Sequence, residues 1–322
     1  YTTFPVFINN FQQNSVLFLD MGSLLCYNLY IMEIKYIDNN TIVTGQADFE
    51  LSDIFDCGQC FRFSPSGDDE YTGVAFSKAI TVKKSGEDII FFDTSPEDFK
   101  SVWFDYFDFG RDYGAVKQAI GGEGCMDRAV SEGGGIRILR QDLFETIISF
   151  IISQSNNIPR IKGIIETLCR IAGEKILYRG KEYYSFPSPE AILNCDISAL
   201  RAGYRDKYII SAAKLINEKP EFLHELQNAS TEDAKKMLMR MTGVGNKVSD
   251  CILLFGLGKT NSFPVDVWMK RIMERLYFKR SCSVGEISSY AREKFGDYSG
   301  FAQQYLFYYA LNHKSELTAE EK

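Results

Sequence analysis

The sequence is poor in the residue clusters that hold metals. Its 322 residues include only two histidines, His224 and His313, and one Cys-x-x-Cys pair, Cys57 and Cys60. No second pair follows and the histidines are remote in sequence, so we expect no zinc site. The other cysteines are scattered, which gives no sign of a disulfide framework and favours a reducing compartment. Internal repeats and low-complexity tracts are also lacking.

Residues 1–31 lack the features of a targeting segment. They begin without Met and without the basic start of a signal peptide. Their apolar runs are interrupted by Asn, Gln and Asp20, so they are too short for a membrane span. We expect an added leader or a poorly determined stretch here and leave it unassigned. We expect no membrane partner.

An excess of basic residues is also lacking. The formal net charge is −7 and the isoelectric point is about 5.1, which by itself argues against nucleic-acid binding. However, residues 235–280 form a basic island with only three acidic residues, Asp250, Asp266 and Glu274. The distribution of charge therefore allows a nucleic-acid surface.

The pattern of residues predicts a mainly α protein with an N-terminal antiparallel β domain. Residues 32–112 form the predicted β domain, with a hairpin turn at Asn39 and Asn40. Strands are predicted at 60–63, 71–76, 79–82 and 89–92. The apolar period then becomes helical, and we assign residues 113–322 to helical domains. Helices are predicted near 114–120, 124–133, 141–154, 158–172, 189–195, 205–218, 229–239, 246–256, 266–277, 283–294 and 298–313.

Residues 237–277 organise the chain as a helix, a glycine hairpin, a second helix, a short loop and a third helix. Gly243 and Gly245 allow a tight turn whose free N–H groups suit a phosphate. Lys247 follows at once, and Cys251 lies one turn further on the same helical face. Asp266 precedes an amphipathic run and is a natural N-cap.

A lysine and a carboxylate in this arrangement suit nucleophilic chemistry. A neutral lysine attacks an electrophilic carbon, and the carboxylate stabilises the positive charge that develops as a bond breaks. The alternative is a helix-hairpin-helix that only grips the DNA backbone, with Lys247 on a phosphate and Asp266 as a simple cap. Spacing alone does not decide between the two.

The stretch GVGNKVSDCILL followed by PVDVWM resembles the 8-oxoguanine DNA glycosylases of the helix-hairpin-helix, or HhH-GPD, superfamily. The resemblance implies that Lys247 is the nucleophile and Asp266 the essential carboxylate. The cysteine cluster of the iron–sulfur members is absent after Tyr277, which argues against that branch. Five motifs in the expected order carry the resemblance over roughly residues 33–314.

The resemblance also implies a pocket for a flipped base. Oxidised guanine carries a hydrogen on N7, where guanine has an acceptor, so a fixed carbonyl tells them apart. Gly58, in the family's Gly-Gln-x-Phe-Arg segment, would supply that carbonyl. Gln303 would bond the base edge, and Phe307 and Cys251 would stack on its two faces. Without the resemblance, Gly58 suits a β-turn and the aromatic helix suits plain core packing.

A loop and a wedge would contact the strand opposite the lesion. Ser155, Asn156, Asn157 and Arg160 resemble the family's Asn-Asn-Asn-Ile-x-Arg loop, and Tyr204 and Arg205 resemble its Tyr-Arg wedge. The two arginines would bond the orphaned cytosine, and Tyr204 would wedge the stack. Alternatively, Ser155, Asn156 and Asn157 are an N-cap run and Arg160 is a surface arginine.

Two positions depart from the family pattern. Ser155 replaces the asparagine that inserts into the vacated space, so either Asn156 takes over or the specificity for cytosine is weaker. Trp268 stands where the animal enzymes carry a phosphate-contacting histidine, which puts that contact in doubt.

The implied reaction is base excision through a Schiff base on Lys247, followed by β-elimination that nicks the strand. The implied partner is double-stranded DNA containing 8-oxoguanine, bound by a monomer. No cofactor is required, although the carbonyls of Met239, Met241 and Val244 suit a monovalent cation. The open alternatives are another damaged purine, relaxed opposite-base choice, or a non-catalytic DNA-binding protein. We expect the protein in the cytoplasm, at a bacterial or archaeal nucleoid, or in a eukaryotic nucleus.

Overall fold

A six-stranded antiparallel sheet forms the first part of the molecule. The computed structural model describes residues 32–122 and 124–314, so the expectation for residues 1–31 lies outside the described residues. The strands run in the order β1-β2-β6-β5-β4-β3. Their bounds are β1 Glu33–Ile37, β2 Asn40–Thr44, β3 Phe63–Gly67, β4 Glu70–Ala75, β5 Lys78–Ser85 and β6 Asp88–Phe92.

Alternation of apolar and polar residues explains the sheet. In β6, Ile89 and Phe91 are fully buried while their neighbours are partly exposed, which is the period-2 pattern of a strand with one face on a core. The first hairpin turns at Asp38 and Asn39, both at positive φ, one residue earlier than predicted. Asn40 instead begins β2, and its side chain accepts a hydrogen bond from the Asp93 N–H.

The segment before β3 differs from the prediction. Residues 60–63 were expected to form a strand, but β3 begins only at Phe63. A short helix, α1 (Leu51–Phe55), comes first, followed by an irregular turn through Gly58. The turn persists because side chains satisfy its buried backbone: Gln304 donates to the Cys57 carbonyl and Gln141 donates to the Gln59 carbonyl.

Helices make up most of the rest of the chain, as predicted. The fold class is therefore confirmed: a mainly helical protein with an N-terminal antiparallel sheet. The helices are α2 Pro96–Asp98, continued by a π-helical turn Phe99–Trp103 and α3 Phe104–Tyr106, then α4 Tyr113–Ile120, α5 Gly124–Glu132, α6 Leu143–Ser153, α7 Ile158–Ala172, α8 Pro189–Asn194, α9 Asp206–Glu218, α10 Glu221–Asn228, α11 Thr231–Met239, α12 Asn246–Phe255, α13 Val267–Ile272, continued by a π-helical turn Met273–Phe278, α14 Val284–Phe295 and α15 Ser299–Asn312.

Besides α1, a helix and a second hairpin were not predicted. Helix α10 is eight residues long and is anchored by the fully buried Leu226. A second hairpin, β7 (Lys175–Tyr178) and β8 (Lys181–Tyr184), turns tightly at Arg179 and Gly180, both at positive φ. This hairpin reaches the large sheet, where the Tyr178 hydroxyl accepts a hydrogen bond of 3.0 Å from the Thr81 N–H.

The buried apolar residues form two clusters. One lies between the sheet, α1 and residues 99–109, and is rich in stacked and edge-on phenyl rings. The larger one fills the helical part, with α6 and α12 at its centre. No helix within the described residues is both long enough and apolar enough to span a bilayer.

Candidate active site

The glycine hairpin between α11 and α12 has the expected tight geometry. Gly243 has a φ of +84°, and a Cβ atom there would lie 2.4 Å from the ring of Tyr208. Only glycine fits this close approach. Gly245 is the N-cap of α12 and is exposed, so the N–H groups at the helix start face solvent. A phosphate can bind such groups, and the positive end of the helix dipole favours it.

Helix α12 places Lys247 and Cys251 at a common cavity. The Lys247 Nζ lies 3.5 Å from the Ser153 Oγ and 5.3 Å from the centre of the Phe150 ring. Burial raises the pKa of the Cys251 thiol to about 11, and the nearby Lys247 ammonium partly opposes that shift. Cys251 is therefore a neutral thiol at pH 7 and offers a small polarisable surface.

Asp266 lies at the opposite wall of this cavity. It is the N-cap of α13, and its Oδ1 accepts a hydrogen bond of 2.7 Å from the Met269 N–H. The cap fixes the carboxylate against the cavity beside Pro264. Lys247 and Asp266 are thus brought to one space by two separate helices.

All six residues that the sequence assigned to catalysis and base binding line this one cavity, whose space of about 320 Å³ includes open solvent at its mouth. The six are Gly58, Lys247, Cys251, Asp266, Gln303 and Phe307. The sequence did not identify Phe150 and Phe255, which stack at 5.4 Å and form a wall. Helix α6 is apolar on nearly every side, so no periodicity singles out Phe150.

The helix α15 supplies two of these residues from one face. Gln303 is 5% exposed, and within the described residues its Oε1 has no hydrogen-bond partner. Such an unpaired buried acceptor is costly unless a ligand completes it. The Phe307 ring packs directly against Gly58, since a Cβ atom added to Gly58 would lie 3.1 Å from the Phe307 Cε1. A base enters the slot only if this ring moves.

The residues expected at the opposite strand lie together on a separate surface. Ser155 is exposed and at positive φ, and Asn156 caps the end of α6 by donating to the Ile152 carbonyl. Asn157 is the N-cap of α7 and accepts from the Arg160 N–H. Asn157 therefore acts as an N-cap, of α7, and Ser155 lies at the tip of the loop between α6 and α7.

The two arginines differ in their surroundings. Arg160 is exposed, and its Nη2 donates to the Arg201 carbonyl at 3.2 Å. Arg205 is only 4% exposed, and its guanidinium donates to the carbonyls of Gln154, Ser155 and Ala202. Arg205 thus holds the loop in this structure, whereas the resemblance placed its guanidinium on the orphaned cytosine.

The two aromatic residues assigned to DNA contact, Tyr204 and Trp268, lie on different elements. Tyr204 is 49% exposed and packs edge-on against Tyr208 beside the hairpin. Trp268 packs against the helical core and lies under the guanidinium of Arg271 at 4.9 Å. The contacts with the helical core and Arg271 therefore fix Trp268. Its indole stands where the animal enzymes of the family carry a histidine.

The resemblance predicts a monovalent cation on the carbonyls of Met239, Met241 and Val244, at and just after the end of α11. The Met241 carbonyl accepts a hydrogen bond of 3.1 Å from the Val244 N–H, and a carbonyl has a second lone pair to offer. Helix C-termini also carry partial negative charge. Among the described residues, no cluster of three or more His, Cys, Asp or Glu side chains could hold a metal.

Comparisons with known proteins point to one family. Residues 41–147 match the N-terminal domain of 8-oxoguanine DNA glycosylase, and residues 148–296 match the HhH-GPD superfamily of base excision DNA repair proteins.

Similar structures are the 8-oxoguanine glycosylase/lyase of Clostridium acetobutylicum bound to DNA with cytosine opposite 8-oxoG, and MBOgg1 bound to a low-affinity DNA ligand. The Clostridium structure is 42% identical with a TM-score of 0.85, and the match covers 87% of this chain and 98% of that one. MBOgg1 is 45% identical with a TM-score of 0.86, and the match covers 88% and 99%.

A probable N-glycosylase/DNA lyase of Methanothermobacter thermautotrophicus is 31% identical over 199 residues, which cover 55% of this chain and 64% of that protein. The chain therefore spans less than two thirds of that relative.

Proposed function

Since the chain belongs to the 8-oxoguanine DNA glycosylases of the HhH-GPD superfamily, we propose that it excises 8-oxoguanine from duplex DNA and then cleaves the strand. One observation carries the proposal: Lys247 and Asp266 share a cavity with four residues that can read a flipped base. DNA-backbone binding alone requires neither a lysine nor a carboxylate inside a cavity.

The two halves of the reaction follow from this arrangement. The Lys247 amine attacks C1′ of the sugar, and the electrons of the C1′–N9 bond leave with the base. Asp266 stabilises the positive charge that develops on the sugar, and its cap to α13 keeps it in place. The attached nitrogen loses a proton and its lone pair then breaks the C1′–O4′ bond, which opens the sugar to a protonated imine on C1′, and O4′ takes up a proton to become a hydroxyl on C4′. This imine withdraws electrons, so that a C2′ proton is lost and the C3′–O bond breaks with the 3′-phosphate as the leaving group. Attack requires the neutral form of the amine.

Recognition of the base rests on the other cavity residues. The Gly58 carbonyl accepts the N7–H of 8-oxoguanine and repels the N7 lone pair of guanine. Gln303 offers an unpaired amide oxygen to the base edge. The base lies between Cys251 and Phe307 once the phenyl ring has moved off Gly58.

The surface around the hairpin holds the duplex. N–H groups at the start of α12 bind a phosphate, Tyr204 wedges the stack, and Arg160 reads the orphaned base. A monovalent cation on the carbonyls of Met239, Met241 and Val244 would add positive charge for the same phosphate. The protein acts as a monomer, in the compartment that holds the DNA, and light scattering with and without duplex tests the monomer.

The first prediction tests the nucleophile. Borohydride should trap an enzyme–DNA adduct on Lys247 with an 8-oxoguanine duplex. Lys247→Gln should abolish trapping and lower single-turnover excision by at least about 10³-fold, while lesion binding persists.

The matched control is Lys259→Gln, because Lys259 lies in the same basic stretch but bonds the Ala229 carbonyl away from the cavity. It should retain wild-type excision. Excision by Lys247→Gln at the wild-type rate would contradict the proposed function.

A further inference from the structure

Helix α15 presents two adjacent rows of residues with different contacts. Gln303 and Phe307 are one turn apart and line the cavity. Gln304 and Tyr308, one position further on, face the segment that carries Gly58. One helix therefore contacts both the base slot and the backbone that bounds it.

The first contact of the second row fixes the peptide unit before Gly58. Gln304 is 1% exposed, and its Nε2 donates a hydrogen bond of 2.8 Å to the carbonyl of the fully buried Cys57. This carbonyl belongs to the Cys57–Gly58 peptide. Gly58 has a φ of +77°, and a glycine backbone rotates more freely than any other. The amide of Gln304 removes part of that freedom.

A second amide holds the other side of Gly58. The Gln59 Nε2 donates to the Ile54 carbonyl at 2.8 Å and to the Arg137 carbonyl at 2.7 Å, and its Oε1 accepts from the Leu139 N–H at 2.9 Å. Gln59 is fully buried. Its bonds tie the turn to Ile54 at α1 and to the segment with Arg137 and Leu139 before α6, whereas Gln304 ties the turn to the helix that carries Gln303.

The second contact of the row supports the first. The Tyr308 hydroxyl donates to the Asp53 Oδ1 at 2.8 Å, and the Asp53 Oδ2 accepts from the Gly135 N–H at 3.1 Å. Asp53 lies on α1, directly before the turn with Gly58. Tyr308 therefore fixes the start of the segment while Gln304 fixes its end.

We propose that Gln304 is a positioning residue for base selection: by holding the Cys57 carbonyl, it sets the direction in which the Gly58 carbonyl meets N7 of the base. The inference rests on the proposed function, since it concerns the same cavity. The Gly58 carbonyl faces a donor, N7–H, in 8-oxoguanine and an acceptor, N7, in guanine. A rotation of this carbonyl away from N7 therefore weakens the discrimination between the two bases. Loss of Gln304 should thus affect selectivity beyond its effect on stability.

The test compares binding of two duplexes that differ only in the lesion. In the excision-deficient Lys247→Gln protein, dissociation constants are measured for 8-oxoguanine opposite cytosine and for guanine opposite cytosine. Gln304→Met keeps the length and apolar contacts of the side chain but removes the donor. We expect the preference for 8-oxoguanine to fall about three- to tenfold, mainly through weaker lesion binding.

Tyr308→Phe gives a second, milder variant. It removes only the hydroxyl, and Asp53 keeps the hydrogen bond that the Gly135 N–H donates, so we expect the variant to fold. A smaller fall in the same preference is expected. An unchanged preference in Tyr308→Phe and Gln304→Met would overturn the inference.

Ser299→Ala is the matched control for stability. Ser299 is buried at the start of α15 and donates to the carbonyls of Ala291 and Gly296, away from the cavity. It should lower the unfolding temperature and leave the preference intact. Equal binding of both duplexes by the Lys247→Gln parent would contradict the proposed function itself. If the parent prefers 8-oxoguanine and Gln304→Met keeps the same preference, only the role of Gln304 is contradicted.

Discussion

At the scale of single residues, Asp266 combines two roles in one side chain. One carboxylate oxygen caps α13 through the Met269 N–H, and the group faces the cavity with Lys247. A cap needs only an acceptor, whereas stabilising a sugar cation needs negative charge. Substitution by asparagine separates these roles, because the amide keeps an acceptor and loses the charge.

We therefore expect Asp266→Asn to lower the free energy of unfolding by no more than about 1 kcal/mol and to lower single-turnover excision about 100-fold or more. Asp112→Asn is the matched control, since Asp112 caps α4 through the Ala115 N–H outside the cavity. A loss of excision by Asp266→Asn that merely follows its melting temperature would leave Asp266 as a cap alone.

At the scale of elements, the proposed contact with the opposite strand falls on the loop between α6 and α7. Its tip is Ser155, a shorter side chain than the family's asparagine. Arg205 is engaged with the loop carbonyls, so Arg160 is the arginine left on the surface to read the partner base.

This division predicts a modest preference for cytosine that depends on Arg160. Excision of 8-oxoguanine opposite C, A, G and T should favour C over A by about tenfold, because one good base contact is worth about 1–3 kcal/mol. Arg160→Ala should flatten the preference. Arg170→Ala, an exposed arginine in the last turn of the same helix, should not. An unchanged preference in Arg160→Ala would remove that residue from the contact surface.

The sequence predicted those elements that local patterns define. The hairpin with Lys247 and the strands with buried alternation, such as β6, follow from glycine chemistry and period 2. Helix α1 and the late start of β3 did not follow, because side chains distant in sequence, such as Gln304, hold the backbone of the turn between them. Likewise, Phe150 becomes a cavity wall only when α6 and α12 pack together, which no local pattern encodes.

At the scale of the whole molecule, Glu145 lies where the sheet part meets the helical part. Burial raises the pKa of its carboxyl to about 7, although the nearby Arg62 guanidinium opposes the shift. Arg62 donates to the Tyr184 carbonyl, and within the described residues its Nε and Nη1 have no partner. Burial at this junction therefore favours the neutral form of the Glu145 carboxyl.

This raised pKa predicts a loss of stability with rising pH. The unfolded chain ionises Glu145 near its ordinary pKa of about 4.5, whereas the folded protein holds the proton until about pH 7. The stability of the wild type should thus fall relative to Glu145→Gln by about 1–3 kcal/mol between pH 4.5 and 7. Urea unfolding of both proteins from pH 5 to 8 measures it, and a constant difference would contradict the pKa.

The hydrogen bond between Gln304 and Cys57 joins residues 247 positions apart in the chain. Contacts of such separation form only when almost the entire chain is present, and they are late to form on topological grounds. A nascent chain or a proteolytic fragment can thus contain the hairpin with Lys247 and still lack a finished base slot. Completion of the cavity is therefore coupled to completion of the chain, since α15 supplies Gln303, Gln304 and Phe307 to its lining.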